Sequence, residues 1–488
     1  MSEVPVPTFL GAEPLWTGQD MIDAMGARPI NGVPDAVTGI SIDSRTLRPG
    51  DAFFAIRGEN FDGHDFATAA AAAGASVLVV SQGRLPALGR ATLPLMVVGD
   101  VLESLSRLGA AARARTKAKI IAVTGSVGKT TTKEALRHVL SHTGTVHASV
   151  ASFNNHWGVP LTLARMSENV QYGIFEIGMN HPGEITPLVK LVRPHVAIIT
   201  LIAAAHLGHF KDLDEIAHAK AEIFAGVVPT GWALINRDDA RYALLEKLAK
   251  KAGVENIAGF GAHERSDIRL LTAKYMNGSS AITAKVFGEE VRATIGVPGR
   301  HIVQNMLPVL GAASIAGADM ERVGHAMSTL SAEKGRGQRH TLKVDGGTFT
   351  LIDESYNANP ASMQAALDLL AATPIGDNGR RIAVLGDMLE LGDHSTEMHA
   401  GLAKPIENTA VDQLFLAGPE IKPLADVVPD TVLCKYETVV DELVDSVVAA
   451  PRPGDAIMVK SSNGIGFSRI VRALLDKYPG ESEDRDEH

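Results

Sequence analysis

From residue 119 onward, apolar runs of strand length alternate with helical stretches: 120–124 before a helix from Lys129, 172–177 before one near Glu184, 196–201 before 213–227, and 232–236 before a helix from Asp239. Strands that are apolar throughout and each followed by a helix pair in parallel, because the helix is the crossover, and such a sheet needs helices on both faces. The middle of the chain is thereby confined to a doubly covered α/β domain, whose ligands sit at the carboxyl ends of the strands. A polar, β-like stretch at 268–295 interrupts the alternation before a helix at 301–316.

The flanking regions follow other rhythms. Short strand-like runs at 40–42, 52–56, 77–80 and 95–98 accompany an Ala-rich helix at 66–75, and after Asp100 a helix carries Leu102, Leu105 and Leu108 on one face. The basic run 112–119 reads as a linker. After Gly335 a hairpin around Gly346-Gly347 opens a second alternation: helix 360–372, strand 381–386, helix 397–406, strand 413–417, helix near 439–449, strand 455–459 and helix 467–477. A chain of 488 residues has room for about three domains. The expected fold is α/β in three domains: a mixed α/β domain at 1–114, a central P-loop domain with a mainly parallel sheet at 115–332, a Rossmann-like domain at 333–479, then an acidic tail at 480–488.

The formal charge of −10 is partly local, since 481–488 hold five acids against one arginine. With no clustered Lys and Arg stripe, a nucleic-acid partner is excluded, whereas small anions held by a few placed cations are not. The single cysteine, Cys434, sits in the strand-like run 432–436 and is expected to be a reduced core thiol. The first residues lack a cationic start and an apolar h-region, and the longest largely apolar run, 196–205, is too short for a membrane span. A cytoplasmic protein is expected.

The turn between the first central strand and its helix carries the strongest chemical signal: Thr124-Gly125-Ser126-Val127-Gly128-Lys129-Thr130-Thr131. Glycines let backbone N–H groups wrap a phosphate at a helix N-terminus, Lys129 reaches outer phosphates, and the Thr130 hydroxyl suits Mg²⁺. Two residues separate Gly125 from Gly128, where the usual P-loop has about four. Downstream, Glu176 ends a buried-looking strand, where a carboxylate requires a cation. By pattern alone Lys220 is a lysine beside a core face, and His206 and His209 are structural.

The shortened loop resembles that of the Mur ligase and folylpolyglutamate synthetase superfamily, and further motifs follow in order: 41–45, 49–51, 56–64, 153–160, 175–184, 205–210, 216–224, 298–305, 335–339, 352–360 and 384–392. The last two resemble the branch that adds D-alanyl-D-alanine to UDP-N-acetylmuramoyl-tripeptide. The resemblance implies an ATP-dependent amide-forming ligase working through an acyl phosphate, with those two substrates as its partners, as a monomer. It implies a UDP-sugar site on the N-terminal domain with Ser44 and Arg45, joined by Asn154 and Asn155. ATP would be held by 124–131, by Asn305 and by Arg336 or Arg339, Arg339 being better spaced. Asp353 or Glu354 would take the nucleotide end. Lys129, Glu176, His206 and Lys220 are the implied catalytic set, and Thr130, Glu176, His206 and a CO₂-derived carbamate on Lys220 the implied Mg²⁺ ligands. Tyr356, Asn357 and Asn359 would face the reacting groups. At Ser461, in 459–464, the chain departs from the family's Lys-Gly-Ser run, which leaves contacts to the dipeptide open there.

Overall fold

The computed structural model describes residues 14–89, 92–150, 152–204, 207–276 and 278–480. Three sheets organise the chain. The N-terminal sheet has the order Arg28–Ile30, Leu95–Val98, Val77–Ser81, Asp51–Phe54, Gly39–Ser41, parallel except for its first strand.

The central sheet runs Val146–Ala148, Tyr172–Glu176, Lys119–Thr124, Val196–Ile199, Trp232–Asn236 and Asn256–Gly261 in parallel. Two apolar clusters cover its faces, one built on the helices Lys129–Ser141 and Arg300–Ile315, the other on Ile185–Val192 and Leu213–Ala221. The polar stretch that breaks the strand–helix alternation continues this sheet: Ile268–Met276 joins in parallel at Phe260 and Gly261, then Ser279–Val286 and Glu289–Ile295 extend it antiparallel. An antiparallel ribbon covered on one side only needs alternate residues buried, and Ile282, Ala284 and Val286 supply that face.

The C-terminal sheet is ordered Gln338–Val344, Gly347–Glu354, Ala456–Lys460, Arg381–Gly386, Gln413–Ala417, Leu433–Glu437, with one antiparallel pair and the rest parallel. Asn359 caps the helix Pro360–Ala372 by accepting from Ser362 N at 2.9 Å, in a reciprocal capping box with Pro360 at the first turn.

Three expectations need correction. The run read as a linker is helix as far as Arg115, in Val101–Arg115, because both its arginines are used: Arg113 donates to Val192 O and Arg193 O at 2.7 Å each, and Arg115 to Leu15 O at 2.9 Å. Cys434 is exposed rather than in the core, because its strand forms the outer edge of the sheet. The helix expected at 397–406 is two, Ser395–Ala400 and Ala403–Asn408. The residues that carried the signal-peptide argument lie outside the described ones through 13, as do 481–488 of the acidic tail, while Gly480 still pairs with Leu342. Among the described residues no helix is long and apolar enough to cross a membrane.

Candidate functional site

The strand Lys119–Thr124 ends in the glycine turn, and Gly125 and Gly128 take φ of 151° and 88°, which L side chains resist. Both glycines are also crowded. A Cβ at Gly125 would lie 1.9 Å from Thr200 Oγ1, and one at Gly128 2.4 Å from Asn305 Oδ1. Asn305 thus stands against the turn, brought there by the helix Arg300–Ile315. Lys129 opens its helix, and Nζ donates to Gly125 O at 2.8 Å, folding the ammonium over the loop. Burial pushes this ammonium below its usual pKa, Glu176 draws it back up, and Arg336 pushes it down again. The hydroxyls of Thr124 and Ser126 are buried without a partner, and of the two Ser126 lines the cleft, where a ligand oxygen could accept from it. Residues 126–131 line a cleft of about 990 Å³ between the central and C-terminal sheets.

Glu176, 1% exposed at the end of Tyr172–Glu176, accepts from Asn154 Nδ2 at 2.7 Å through Oε1, while Oε2 is buried with no partner. A buried carboxylate with an idle oxygen is an incomplete cation site. Thr130 is buried nearby in the turn. Lys220, also 1% exposed, has no ion pair among the described residues; burial and then the Lys129 charge hold its amine far below the usual lysine value. His206 lies outside the described residues. Among the described residues no three His, Cys, Asp or Glu side chains gather as a ready ligand set.

The C-terminal domain supplies the opposite wall. Arg336 stacks over Tyr356, 4.3 Å from its centroid, and Tyr356 Oη meets Ser152 Oγ of the central domain at 3.0 Å. Arg339 also lines the cleft, tethered to Thr373 Oγ1 at 3.1 Å. Of the adjacent acids, Glu354 lines the cleft. Asp353 is turned inward, accepting from Ser355 N, Ser355 Oγ and Gly335 N at 3.1, 2.6 and 3.1 Å. Asn357 and Asn359 reach the cleft too, although the Asn359 side chain is engaged in the helix cap. Lys460, 2% exposed, donates to Asn357 O at 2.8 Å and to Glu354 Oε2 at 3.3 Å. Lys460 and Asp238 were not singled out from sequence as cleft residues; each follows or ends an apolar strand, and that position is the available signal.

A second, larger cleft of about 2590 Å³ opens between the N-terminal and central sheets, lined by Ser44, Arg45, Asn154 and Asn155 among others. The Arg45 side chain is 86% exposed and forked onto Asp43, whose carboxyl that hydrogen bond holds below its usual range. Asn155 Oδ1 accepts from Gly158 N at 2.9 Å and shapes the turn into Gly158–Ala164. Asn154 lines both clefts.

A phosphate-binding turn, a buried carboxylate short of a cation and two clefts with a common wall define a nucleotide-dependent α/β enzyme of three domains. The Mur ligase middle-domain model matches residues 123–313, the Mur ligase glutamate-ligase-domain model 335–463, and the Mur ligase catalytic-domain model 36–130. The UDP-N-acetylmuramoyl-tripeptide--D-alanyl-D-alanine ligase of Rickettsia prowazekii is 33% identical over 458 residues, 94% of this chain and 99% of its own. The MurF crystal structure from Acinetobacter baumannii superposes with a TM-score of 0.82 at 30% identity, over 95% of this chain and 99% of that one. The MurF ligase of Thermotoga maritima in complex with ADP shares the fold, at a TM-score of 0.74 and 24% identity over 90% and 97% of the chains. The chain belongs to the Mur ligase family.

Proposed function

We infer that the protein is an ATP-dependent ligase that joins D-alanyl-D-alanine to UDP-N-acetylmuramoyl-tripeptide, giving UDP-N-acetylmuramoyl-pentapeptide, ADP and phosphate for peptidoglycan synthesis. The observation that carries this reading is the wall common to the two clefts. Asn154 borders both and is bonded to Glu176, so a peptide carboxylate at the end of the larger cleft meets a triphosphate in the smaller one.

Carboxylate and ammonium do not condense directly near neutral pH, because oxide is a poor leaving group. The acceptor carboxylate attacks the γ-phosphorus, ADP leaves, and an acyl phosphate forms. The dipeptide amine then adds to the carbonyl, and the tetrahedral intermediate expels phosphate. Backbone N–H groups of 127–130 hold the phosphates at the helix N-terminus, the Ser126 N–H being spent on Leu201 O at 2.7 Å. Lys129, with Arg336 and Arg339 from across the cleft, spreads the charge that develops on the transferring group, and positioning supplies much of the rate. Asn305 takes the adenine end and Glu354, facing the cleft, the ribose end. Tyr356, Asn357 and Asn359 stand on the amine side.

The idle Glu176 oxygen and the Thr130 hydroxyl fit Mg²⁺, with His206 and Lys220 completing the set. When bound, Mg²⁺ would neutralise phosphate oxygens in the cleft. Burial and the Lys129 charge favour the neutral Lys220 amine, which is the form that adds CO₂, losing a proton to become an anionic carbamate and replacing a repulsion with Lys129 by an attraction. Two of the three substrates, ATP and the UDP-linked tripeptide, are nucleotides, which supports work in the cytoplasm, and the residues assigned to both clefts belong to one chain, as a monomer requires. Phosphate release by the purified protein, assayed with the UDP-linked tripeptide and a panel of amine acceptors, is expected to depend on D-alanyl-D-alanine. Equal release without it, or with diaminopimelate or glutamate in its place, overturns the reading.

A further inference from the structure

One wall of the larger cleft is an arch, residues 57–62, closed by a bridge between Arg57 and Asp62 and by bonds from Gly58 N to Phe61 O and from Gly63 N to Ile56 O, both 2.8 Å. Its tip, Phe61, is 74% exposed and packs edge-on to Phe66, with centroids 6.5 Å apart; both rings line the cleft. Such a protruding pair costs hydration unless the arch is held in place for a purpose.

The holding is done from behind by a residue that does not line the cleft. His64 is 6% exposed. Its Nδ1 lies 2.6 Å from Asp62 Oδ1, and its Nε2 accepts from Ser81 N at 2.9 Å, with Ser81 Oγ at 3.2 Å. An ionised carboxylate only accepts, so Nδ1 carries the proton, and the Ser81 amide only donates, so Nε2 is bare. One neutral tautomer satisfies both ends. Asp62 is held in turn by the His64 backbone N–H at 3.0 Å and by Arg84 at 3.0 Å.

Asp, His and Ser in a hydrogen-bonded row have the outline of a nucleophilic triad. Here the base nitrogen already holds a backbone amide, which cannot give up its proton, so Nε2 is not free to activate the Ser81 hydroxyl. What the row does is tie the foot of the arch, at Asp62, to the end of the strand Val77–Ser81. We propose that His64 is a positioning residue that fixes the 57–62 arch over the larger cleft and so sets affinity for the nucleotide-sugar end of the acceptor. This rests on the reading of that cleft as the acceptor's.

The test uses the full chain and separates acceptor binding from chemistry. His64→Ala is expected to raise the KM for the UDP-linked tripeptide about tenfold or more, with the ATP KM and kcat at saturating acceptor within about twofold. His64→Gln, whose Oε1 reaches the Ser81 amide, recovers most of that affinity, and Ser81→Ala, which keeps the amide, changes it less than about threefold. Hydrogen exchange at the amides of Gly58, Gly63 and Ser81 is expected to speed up in His64→Ala while Ile177 in the central domain is unaffected. Unchanged exchange in the arch, an equal rise in ATP KM, or a Ser81→Ala loss as large as that of His64→Ala overturns the proposal. If His64→Ala does not fold, the Gln variant is compared with His64→Asn, and equal acceptor KM values for the two overturn it. A wild-type protein that shows no acceptor-dependent turnover refutes the ligase reading instead, and the exchange comparison still decides the role of His64.

Discussion

Burial first, then the Lys129 charge that reaches it, lowers the Lys220 pKa, and an anion between the two lysines would relieve that repulsion. On the proposed reaction the anion at Lys129 is the transferring phosphoryl group, so Lys129→Ala should cost roughly 10³-fold or more in kcat/KM while the protein keeps its melting temperature within a few degrees. For Lys220 the proposed anion is its own carbamate. Lys220→Ala should lose most of its activity and regain a measurable part with short carboxylates such as acetate or formate in the assay; full activity without them refutes the carbamate. His195 gives a pH prediction away from the chemistry. Its Nδ1 accepts from Ile120 N at 2.9 Å, and burial first, then Arg113, Lys119 and Arg193, lower its pKa to about 4. The unfolded chain holds that proton up to about pH 6.5, so the unfolded state binds more protons between the two values. This contribution to stability is complete above the unfolded value and is lost as pH falls toward the folded one. Urea midpoints should drop from pH 7 to pH 4.5, and His195→Asn, whose amide oxygen can still accept from Ile120, should flatten that slope. The residue scale also shows where sequence falls silent. The glycine turn was legible because its chemistry is mostly backbone and its spacing is therefore visible. Asp353 and Glu354 were not separable, because neighbours on a strand point to opposite faces and only the folded chain shows that Glu354 meets the cleft while Asp353 bonds to Gly335 and Ser355.

At the scale of elements, the buried parallel strands were legible because a strand covered on both faces has to be apolar throughout. The ribbon 268–295 was legible as β structure that breaks the alternation, because its pattern belongs to a sheet covered on one face, but nothing local says that the two patterns share one sheet. The run 112–119 misled for a different reason. Basic, polar residues suggest solvent, but Arg113, 7% exposed, is spent on the carbonyls that end the helix Ile185–Val192, and Arg115 on Leu15 O and the face of Trp16, its guanidinium 3.4 Å from the ring centroid. A helix end accepts a cation readily. Removing Arg113 strands two carbonyls in a dry place, and Arg113→Met should lower the unfolding free energy by about 2 kcal/mol or more. Chemical denaturation at one pH measures this, and a change under about 0.5 kcal/mol, the usual range for surface positions, would mean that water reaches those carbonyls.

At the scale of the whole molecule the three domains are not joined alike. The N-terminal and central domains share one apolar cluster, which takes in Leu161 and Ala164 of the central helix along with Trp16, Leu105 and Leu108, and Trp16 Nε1 donates to Ala164 O at 2.8 Å. Among the described residues the C-terminal domain touches the central one through fewer groups, among them the Ser152–Tyr356 hydroxyl pair, Met398 against the central core, and a bond from Gly208 N to Glu390 O at 3.0 Å. That asymmetry makes the C-terminal domain the one expected to move relative to the other two, and closure of this kind completes a catalytic set. It also explains how a chain of net charge −10 handles very anionic ligands. The cations that matter, Lys129 on one side and Arg336 and Arg339 on the other, face the same cleft only while the domains are together. The contact at Gly208 and Gly392 tests this from both sides, since a Cβ on Gly208 would come 3.1 Å from Gly392 N and one on Gly392 2.7 Å from Gly208 Cα. Gly392 has φ of 57°, so a side chain there adds local strain that Gly208 does not share. Gly208→Val and Gly392→Val should therefore both lower kcat by about tenfold or more while leaving nucleotide binding to the central domain within about threefold, and solution scattering should show a larger radius of gyration with ligands bound. If Gly208→Val keeps full kcat and only Gly392→Val is impaired, the loss comes from backbone strain, and the contact is no part of the productive arrangement.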